Sequence, residues 1–196
     1  MKTLIINCHV DKRKVSSYVS WISPYSDIVI IEEGNLKDAY NYLNEVDAII
    51  VTGSRKSAAL GDIDIKLVNF IRKVDIPLFS ICYGHQVMCY SYGCRLGHME
   101  KPIKGIETVE IVHDDEIFLG LGKRIQVRES HYDYVVLEQD TFKFAGLTLL
   151  ARSKSCQVEA VKLEKKPMYG TQFHPEKSGK VGQKIIENFF KHAVRK

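Results

Sequence analysis

The first half of the chain alternates short runs of consecutive apolar, mostly β-branched residues with stretches in which apolar residues return every third or fourth position. Four runs, TLIIN (3–7), DIVII (27–31), DAIIVTG (47–53) and PLFSIC (77–82), are apolar on successive residues, as expected of strands covered on both faces. Between them lie KVSSYVSWI (14–22), NLKDAYNYL (35–43) and IDIKLVNFIRKV (63–74), which carry helical spacing. The last aligns Ile63, Leu67, Phe70, Ile71 and Val74 on one face, with Asp62 or Asp64 placed to cap its start. The alternation predicts βα units and a parallel sheet.

After Gly97 the pattern changes to strand-rich segments separated by turns: IKGIETVEIV, RIQVRES, AGLTLLARS, CQVEAVKLE and PMYGTQFH. They predict an antiparallel extension or a continuation of the sheet. A final amphipathic helix over 180–193 places Val181, Ile185, Ile186, Phe189 and Phe190 on one side, ready to dock on the sheet. The expected class is α/β, an open, mostly parallel twisted sheet with helices on both faces and a small antiparallel extension. No repeat, low-complexity tract or long linker interrupts it, so residues 1–196 read as one domain.

Composition narrows the function classes. With 45% hydrophobic and 27% charged residues, and no apolar run near the roughly 18 residues of a membrane span, a soluble protein is expected. The opening MKTLIINCHV lacks a small-residue cleavage site and reads as a first strand, which makes the cytoplasm the default location. Five scattered cysteines, Cys8, Cys82, Cys89, Cys94 and Cys156, read as free thiols of a reducing compartment. Neither CxxC spacing nor histidines three to five apart occur, so no structural metal and no cofactor is expected. A net charge of +4 on dispersed lysines excludes the basic stripe of a nucleic-acid binder, and the tail KHAVRK reads as favourable charge at a helix C-terminus.

Two segments carry chemistry. In PLFSICYGHQ (77–86), Cys82 falls where a strand runs into a helix, at the carboxyl edge where open α/β sheets place their sites. A sharp turn there exposes the side chain, the helix N-terminus stabilises a thiolate, and Gly84 eases the turn. The same thiol also fits an inert small side chain closing a strand. A thiol nucleophile needs a base and a group to orient that base. MYGTQFHPE (168–176) supplies His174 and Glu176, with Pro175 stiffening the dipeptide between them. Taken alone, His174 also fits a turn histidine bonded to backbone.

Together, ICYGHQ followed by GTQFHPE resembles the class I glutamine amidotransferases, which place a Cys-His-Glu triad on such a sheet. The resemblance implies that Cys82 attacks the carboxamide of L-glutamine, that His174 moves the proton and that Glu176 orients it. It also implies an oxyanion hole from the backbone of Tyr83 and from the turn TGSRKS, with Gly53 and Ser54 in place of two glycines and Arg55 in place of a proline. Ser80 is a further departure, standing where the family has glycine. The segments DDEIFLGL, VRESHYDYV, LLARSKSCQVEAV and PMYGTQFHPE resemble the free-standing glutaminase subunits that serve GMP synthase. In that likeness Ser130, His131, Tyr132 and Asp133 touch the amino-acid end of the substrate, and Gln86 lines the same pocket. The implied partner is an ammonia-accepting synthetase subunit of the ATP-pyrophosphatase type, with XMP as acceptor. INCHVDKRKVSS lacks the D-x-G-x-Q-Y pattern of that group, and the tail resembles the glutaminase subunit of imidazole glycerol phosphate synthase. Another acceptor, a stand-alone γ-glutamyl hydrolase and a non-catalytic binding module are the alternatives.

Overall fold

The structure, a computed structural model, describes residues 1–194; of the basic tail, Arg195 and Lys196 lie outside the described residues. Its strands are β1 Lys2–Asn7, β2 Asp27–Glu32, β3 Ala48–Val51, β4 Leu78–Ile81, β5 Leu96–Ile111, β6 Arg124–Val135, β7 Leu147–Arg152, β8 Ala160–Leu163 and β9 Met168–Thr171. The helices are α1 Ser16–Ile22, α2 Leu36–Ala39, α3 Ile65–Lys73, α4 Tyr83–Ser91, α5 Gln139–Ala145 and α6 Gly179–Asn188. The strands form one nine-stranded sheet in the order β2-β1-β3-β4-β9-β8-β7-β5-β6.

Each apolar run of the first half forms a parallel strand, and the order places β4 beside β9 in parallel register, with Ser80 opposite Gly170 and Ile81 opposite Thr171. Strand alternation divides these runs between two cores. Leu4, Ile6, Ile49, Val51 and Leu78 meet Leu67, Phe70 and Ile71 of α3 and Met88 of α4 on one face. Ile5, Ile50, Phe79 and Ile81 meet Tyr18, Trp21 and Ile22 of α1 and Ile185, Ile186 and Phe189 on the other. The expected α/β sheet with helices on both faces is present.

Its antiparallel part is larger than expected. β9-β8, β8-β7, β7-β5 and β5-β6 are all antiparallel, so the ladders divide evenly between the two kinds. β5 and β6 form a long hairpin with a register shift between His98 and Ile103. Along β6 every second residue is buried, from Ile125 to Val135, as in a strand with one face to the core and one to water.

Helix boundaries differ in physical detail from the periodicity. Asp64, not Asp62, caps α3 by accepting a hydrogen bond from the Lys66 N–H. The segment 35–43 is broken into 3-10 turns around the four-residue α2, and α6 passes into a π-helical turn at Phe189–Val194. α5 has no counterpart in the sequence reading, because Phe142 is the only buried side chain in its seven residues and one apolar anchor makes no helical stripe.

Gly84 does not relax the turn through unusual dihedrals. Its role is close packing, since a Cβ there would lie 2.6 Å from the Val51 carbonyl oxygen and 2.9 Å from Val51 Cγ1. α4 thus sits directly on the end of β3. Gly84→Ala should lower stability by about 1–3 kcal/mol through this overlap, read as a lower denaturation midpoint with an unchanged m-value.

Candidate active site

The site is built at the carboxyl ends of β3, β4 and β9. Cys82 follows β4 and stands at the N-terminus of α4 with φ 51 and ψ −107; it is the only non-glycine residue with positive φ among the described residues. Backbone strain of this kind costs of order 1–3 kcal/mol and persists where the surroundings impose it. Here the Cys82 N–H is held by the Thr171 carbonyl at 2.8 Å, and the Gln86 N–H by the Cys82 carbonyl at 3.0 Å. The thiol is buried at the floor of a cleft of about 1150 Å³, with its Sγ 3.9 Å from the Ser130 carbonyl oxygen.

His174 and Glu176 follow β9. His174 donates its backbone N–H to the Arg128 carbonyl at 2.8 Å. Ser178 closes the turn, accepting from the Arg128 N–H at 3.0 Å and donating to the His174 carbonyl at 2.7 Å. The imidazole Nδ1–H donates to Glu176 Oε1 at 2.8 Å. Burial opposes a charge on His174, but the Glu176 carboxylate and the Cys82 sulfur outweigh it and hold its pKa up at about 10. Burial likewise opposes ionisation of Glu176, and the His174 charge and hydrogen bond overcome it to leave its pKa below the usual range. The three residues named from the two motifs therefore converge, and the pair behind the thiol favours imidazolium and carboxylate.

Gly53 lies between them. A Cβ there would stand 3.2 Å from His174 Cε1 and 3.4 Å from Cys82 Cβ, so no side chain fits without moving one of the two. Its N–H is donated to the Tyr18 phenol oxygen at 3.0 Å, which removes Gly53 from the expected oxyanion donors and leaves the backbone N–H groups of Ser54 and Tyr83. The N–H of Tyr83, first residue of α4, belongs to the helix turn that has no intrahelical acceptor. Ser54 keeps an ordinary negative φ. Its Oγ–H donates to the Cys8 carbonyl at 2.7 Å and its Oγ accepts from the Lys56 N–H at 3.2 Å. The serine thus ties down the turn in which glycine was expected. Ser80 is accommodated too: its hydroxyl donates to the Tyr169 carbonyl at 3.0 Å, in space left by the missing side chain of Gly170, whose Cβ would come within 3.0 Å of it.

The second-half segment forms one wall. Ser130 and Tyr132 point outward from β6, and Tyr132 stacks on His98 with centroids 5.7 Å apart. Asp133 is buried and fixes the TGSRKS segment, accepting from Ser57 Oγ at 2.8 Å and the Ala59 N–H at 3.0 Å. Gln86 lines the cleft, but its amide nitrogen is used within the protein, donating to the Asp133 carbonyl at 2.9 Å and Gln172 Oε1 at 3.1 Å. The His131 ring is turned inward, its Nδ1 2.9 Å from the Asp133 carbonyl.

Three residues of the site escaped the sequence reading. Tyr18, fully buried on α1, holds Gly53 and stands close enough to Glu176 for the carboxylate to raise its own pKa further after burial has done so. His9 lines the cleft, and burial, then Lys177 and Lys14, lowers its pKa to about 4. Glu33 accepts from the Tyr83 hydroxyl at 3.1 Å and pairs with Lys56 at 2.7 Å beneath the turn. A tyrosine in SSY carries no motif signal, and only its place on the first helix after β1 could have pointed to the site. Lys14, Arg55, Lys56, Lys104 and Lys177 make the cleft rim basic.

The sequence model described as glutamine amidotransferase class-I matches residues 5–193. The glutamine-hydrolyzing subunit of GMP synthase from Methanosarcina acetivorans is 32% identical, covering 97% of this chain and 95% of its own. That of Pyrococcus abyssi is 38% identical over 73% of each chain. The crystal structure of a glutamine amidotransferase from Thermotoga maritima matches this fold with a TM-score of 0.79 at 16% identity, over 100% of this chain and 99% of its own.

The raised His174 pKa has a consequence for stability. Relative to an unfolded value of 6.5, a folded value of about 10 contributes stability that is complete below pH 6.5 and lost as pH rises through 10. Unfolding free energy measured between pH 6.5 and 10 should therefore carry a negative slope from this group. Glu176→Gln, which removes the anion, should flatten that slope; an identical slope in both proteins would show that Glu176 does not hold the proton on His174.

Proposed function

The chain belongs to the class I glutamine amidotransferases, and from that membership we propose that it is the glutamine-hydrolysing subunit of a GMP synthase, releasing ammonia at Cys82 for a separate synthetase subunit that aminates XMP. The observation that carries this reading is the meeting of a strained Cys82 with the His174–Glu176 pair at the floor of a basic cleft.

Cys82 is the nucleophile. With the proton on His174, the sulfur attacks the side-chain carbonyl carbon of glutamine, and the oxygen takes up negative charge facing the N–H groups of Tyr83 and Ser54. Collapse of the tetrahedral adduct breaks the C–N bond, and His174 gives its proton to the departing nitrogen, which leaves as ammonia. A water molecule then attacks the thioester, losing a proton to His174, and the thiolate leaves to give glutamate. The balance is glutamine plus water to glutamate plus ammonia. Glu176 orients the imidazole and stabilises its charge throughout. The α4 N-terminus lies at the sulfur and favours its anion.

Ser130, His131 and Tyr132 bound the substrate side of the cleft through their strand, and Gln86 acts by fixing that strand to α4. The basic rim suits the α-carboxylate of glutamine. GMP is proposed as the end product because relatives named as the glutamine-hydrolyzing part of GMP synthase match nearly end to end. A synthetase partner belongs to the reading because those relatives are each named as one subunit of a synthase. No helix among the described residues is long and apolar enough to cross a membrane, and we place the chain in the cytoplasm with its nucleotide-binding partner.

Cys82→Ala should keep the fold and lose glutamine hydrolysis by at least ~10³-fold, and a glutamine-like alkylating analogue should label Cys82 alone among the five cysteines. Hydrolysis should rise when an ATP-pyrophosphatase partner, ATP and XMP are added. A rate independent of the partner would instead identify a stand-alone amide hydrolase.

A further inference from the structure

Strand alternation gives β6 a second chemistry on the face opposite Ser130. Glu107 of β5, Glu129 of β6 and Glu159, just before β8, each present a carboxylate oxygen, and the three oxygens lie within 4.8 Å of one another. Glu129 and Glu159 are fully buried, and no hydrogen bond reaches any of their four carboxylate oxygens, although Ser153 stands close enough to Glu159 to favour its anion. Glu107 is anchored from outside by the Ser155 hydroxyl at 2.6 Å. Among the described residues, no lysine or arginine forms an ion pair with any of the three; the single ion-pair contact is with His131. Carboxylates gathered away from water in this way need positive charge among them.

His131 points to what supplies it. Its Nδ1 is 2.9 Å from the Asp133 carbonyl oxygen, which can only accept, so Nδ1 carries a hydrogen and donates it. In a neutral ring Nε2 then bears a lone pair. The side chain is 1% exposed, and Nε2 lies 3.3 Å from Glu129 Oε2 with no hydrogen-bond partner. A lone pair facing a carboxylate oxygen is repulsive unless a positive centre lies between them. One proton would serve one pair of acceptors and leave the other carboxylate uncompensated. One divalent ion serves all four groups. Ligand atoms within 4.8 Å of each other suit a common ion at about 2.0–2.4 Å from each. An imidazole whose other nitrogen donates to a backbone carbonyl is already set in the tautomer that a metal needs.

We propose that Glu107, Glu129, Glu159 and His131 form a buried site for one divalent cation of the class that accepts three carboxylate oxygens and one imidazole nitrogen, such as Mn²⁺ or Zn²⁺. The ion braces β5, β6 and the approach to β8 behind the wall of the cleft, on the far face of β6 from Ser130. Its ligands come singly from separate strands, so no spacing along the chain announces them.

The test is titration of the metal-stripped full chain with Mn²⁺ and, separately, with Zn²⁺, following bound metal and thermal unfolding. One equivalent of at least one ion should bind and raise the midpoint. Glu107→Gln, at the least buried ligand, and Glu159→Gln, shaped like the protonated acid, should each weaken binding by at least ~10-fold. Uptake of neither ion, or uptake that survives both substitutions, as adventitious binding to cysteines would, overturns the proposal. Equal stability of Glu159→Gln and the parent chain with no metal uptake by either also overturns it, in favour of a proton shared between the acids.

Discussion

The hydrogen bond from the Cys82 N–H to the Thr171 carbonyl, 2.8 Å long, continues the parallel ladder of β4 and β9 past the last residue of β4. The rest of the site depends on it. Two neighbouring strands running the same way release their chains at the same edge of the sheet, so a residue just after β4 and one just after β9 are brought together whatever lies between them in sequence. The long antiparallel excursion through β5 to β8 can then build the cleft wall without disturbing the relation of sulfur to imidazole.

Around this ladder, small residues and shared polar groups do the positioning. Gly53 lets His174 and Cys82 approach, and Gly84 lets α4 rest on β3. Gly170 leaves room for the Ser80 hydroxyl. Tyr18, Asp133 and Glu33 each join elements distant in the chain, and each is buried. An unmade hydrogen bond at such a place would cost the full desolvation of the group left behind. The shell therefore resists change more than its surface-like residue types suggest.

Much of this was legible in the residues. Continuous apolar runs marked the parallel strands of the first half because burial on both faces leaves no room for alternation, and the two short motifs brought out Cys82, His174 and Glu176 before any geometry was known. What stayed hidden was set by distance across the fold. Gly53 reads as an oxyanion donor until Tyr18 is seen to occupy its N–H. Gln86 reads as a pocket residue until its amide is found bonded to Asp133 and Gln172. Glu129 and Glu159 look like ordinary acids of exposed strands, and only the pleat of β6 and the register around β8 carry them inward. Likewise α5 presents too little apolar surface to signal itself.

The left-handed backbone at Cys82 bears on how such a chain can change over time. Glycine would occupy that conformation without the penalty paid by a residue bearing a Cβ, so mutation toward a more stable and inert protein lies a single substitution away. The thiol persists there against a standing thermodynamic bias. A copy of the chain released from its chemistry would be expected to drift at this position early, which makes residue 82 a sensitive marker for telling working relatives from retired ones.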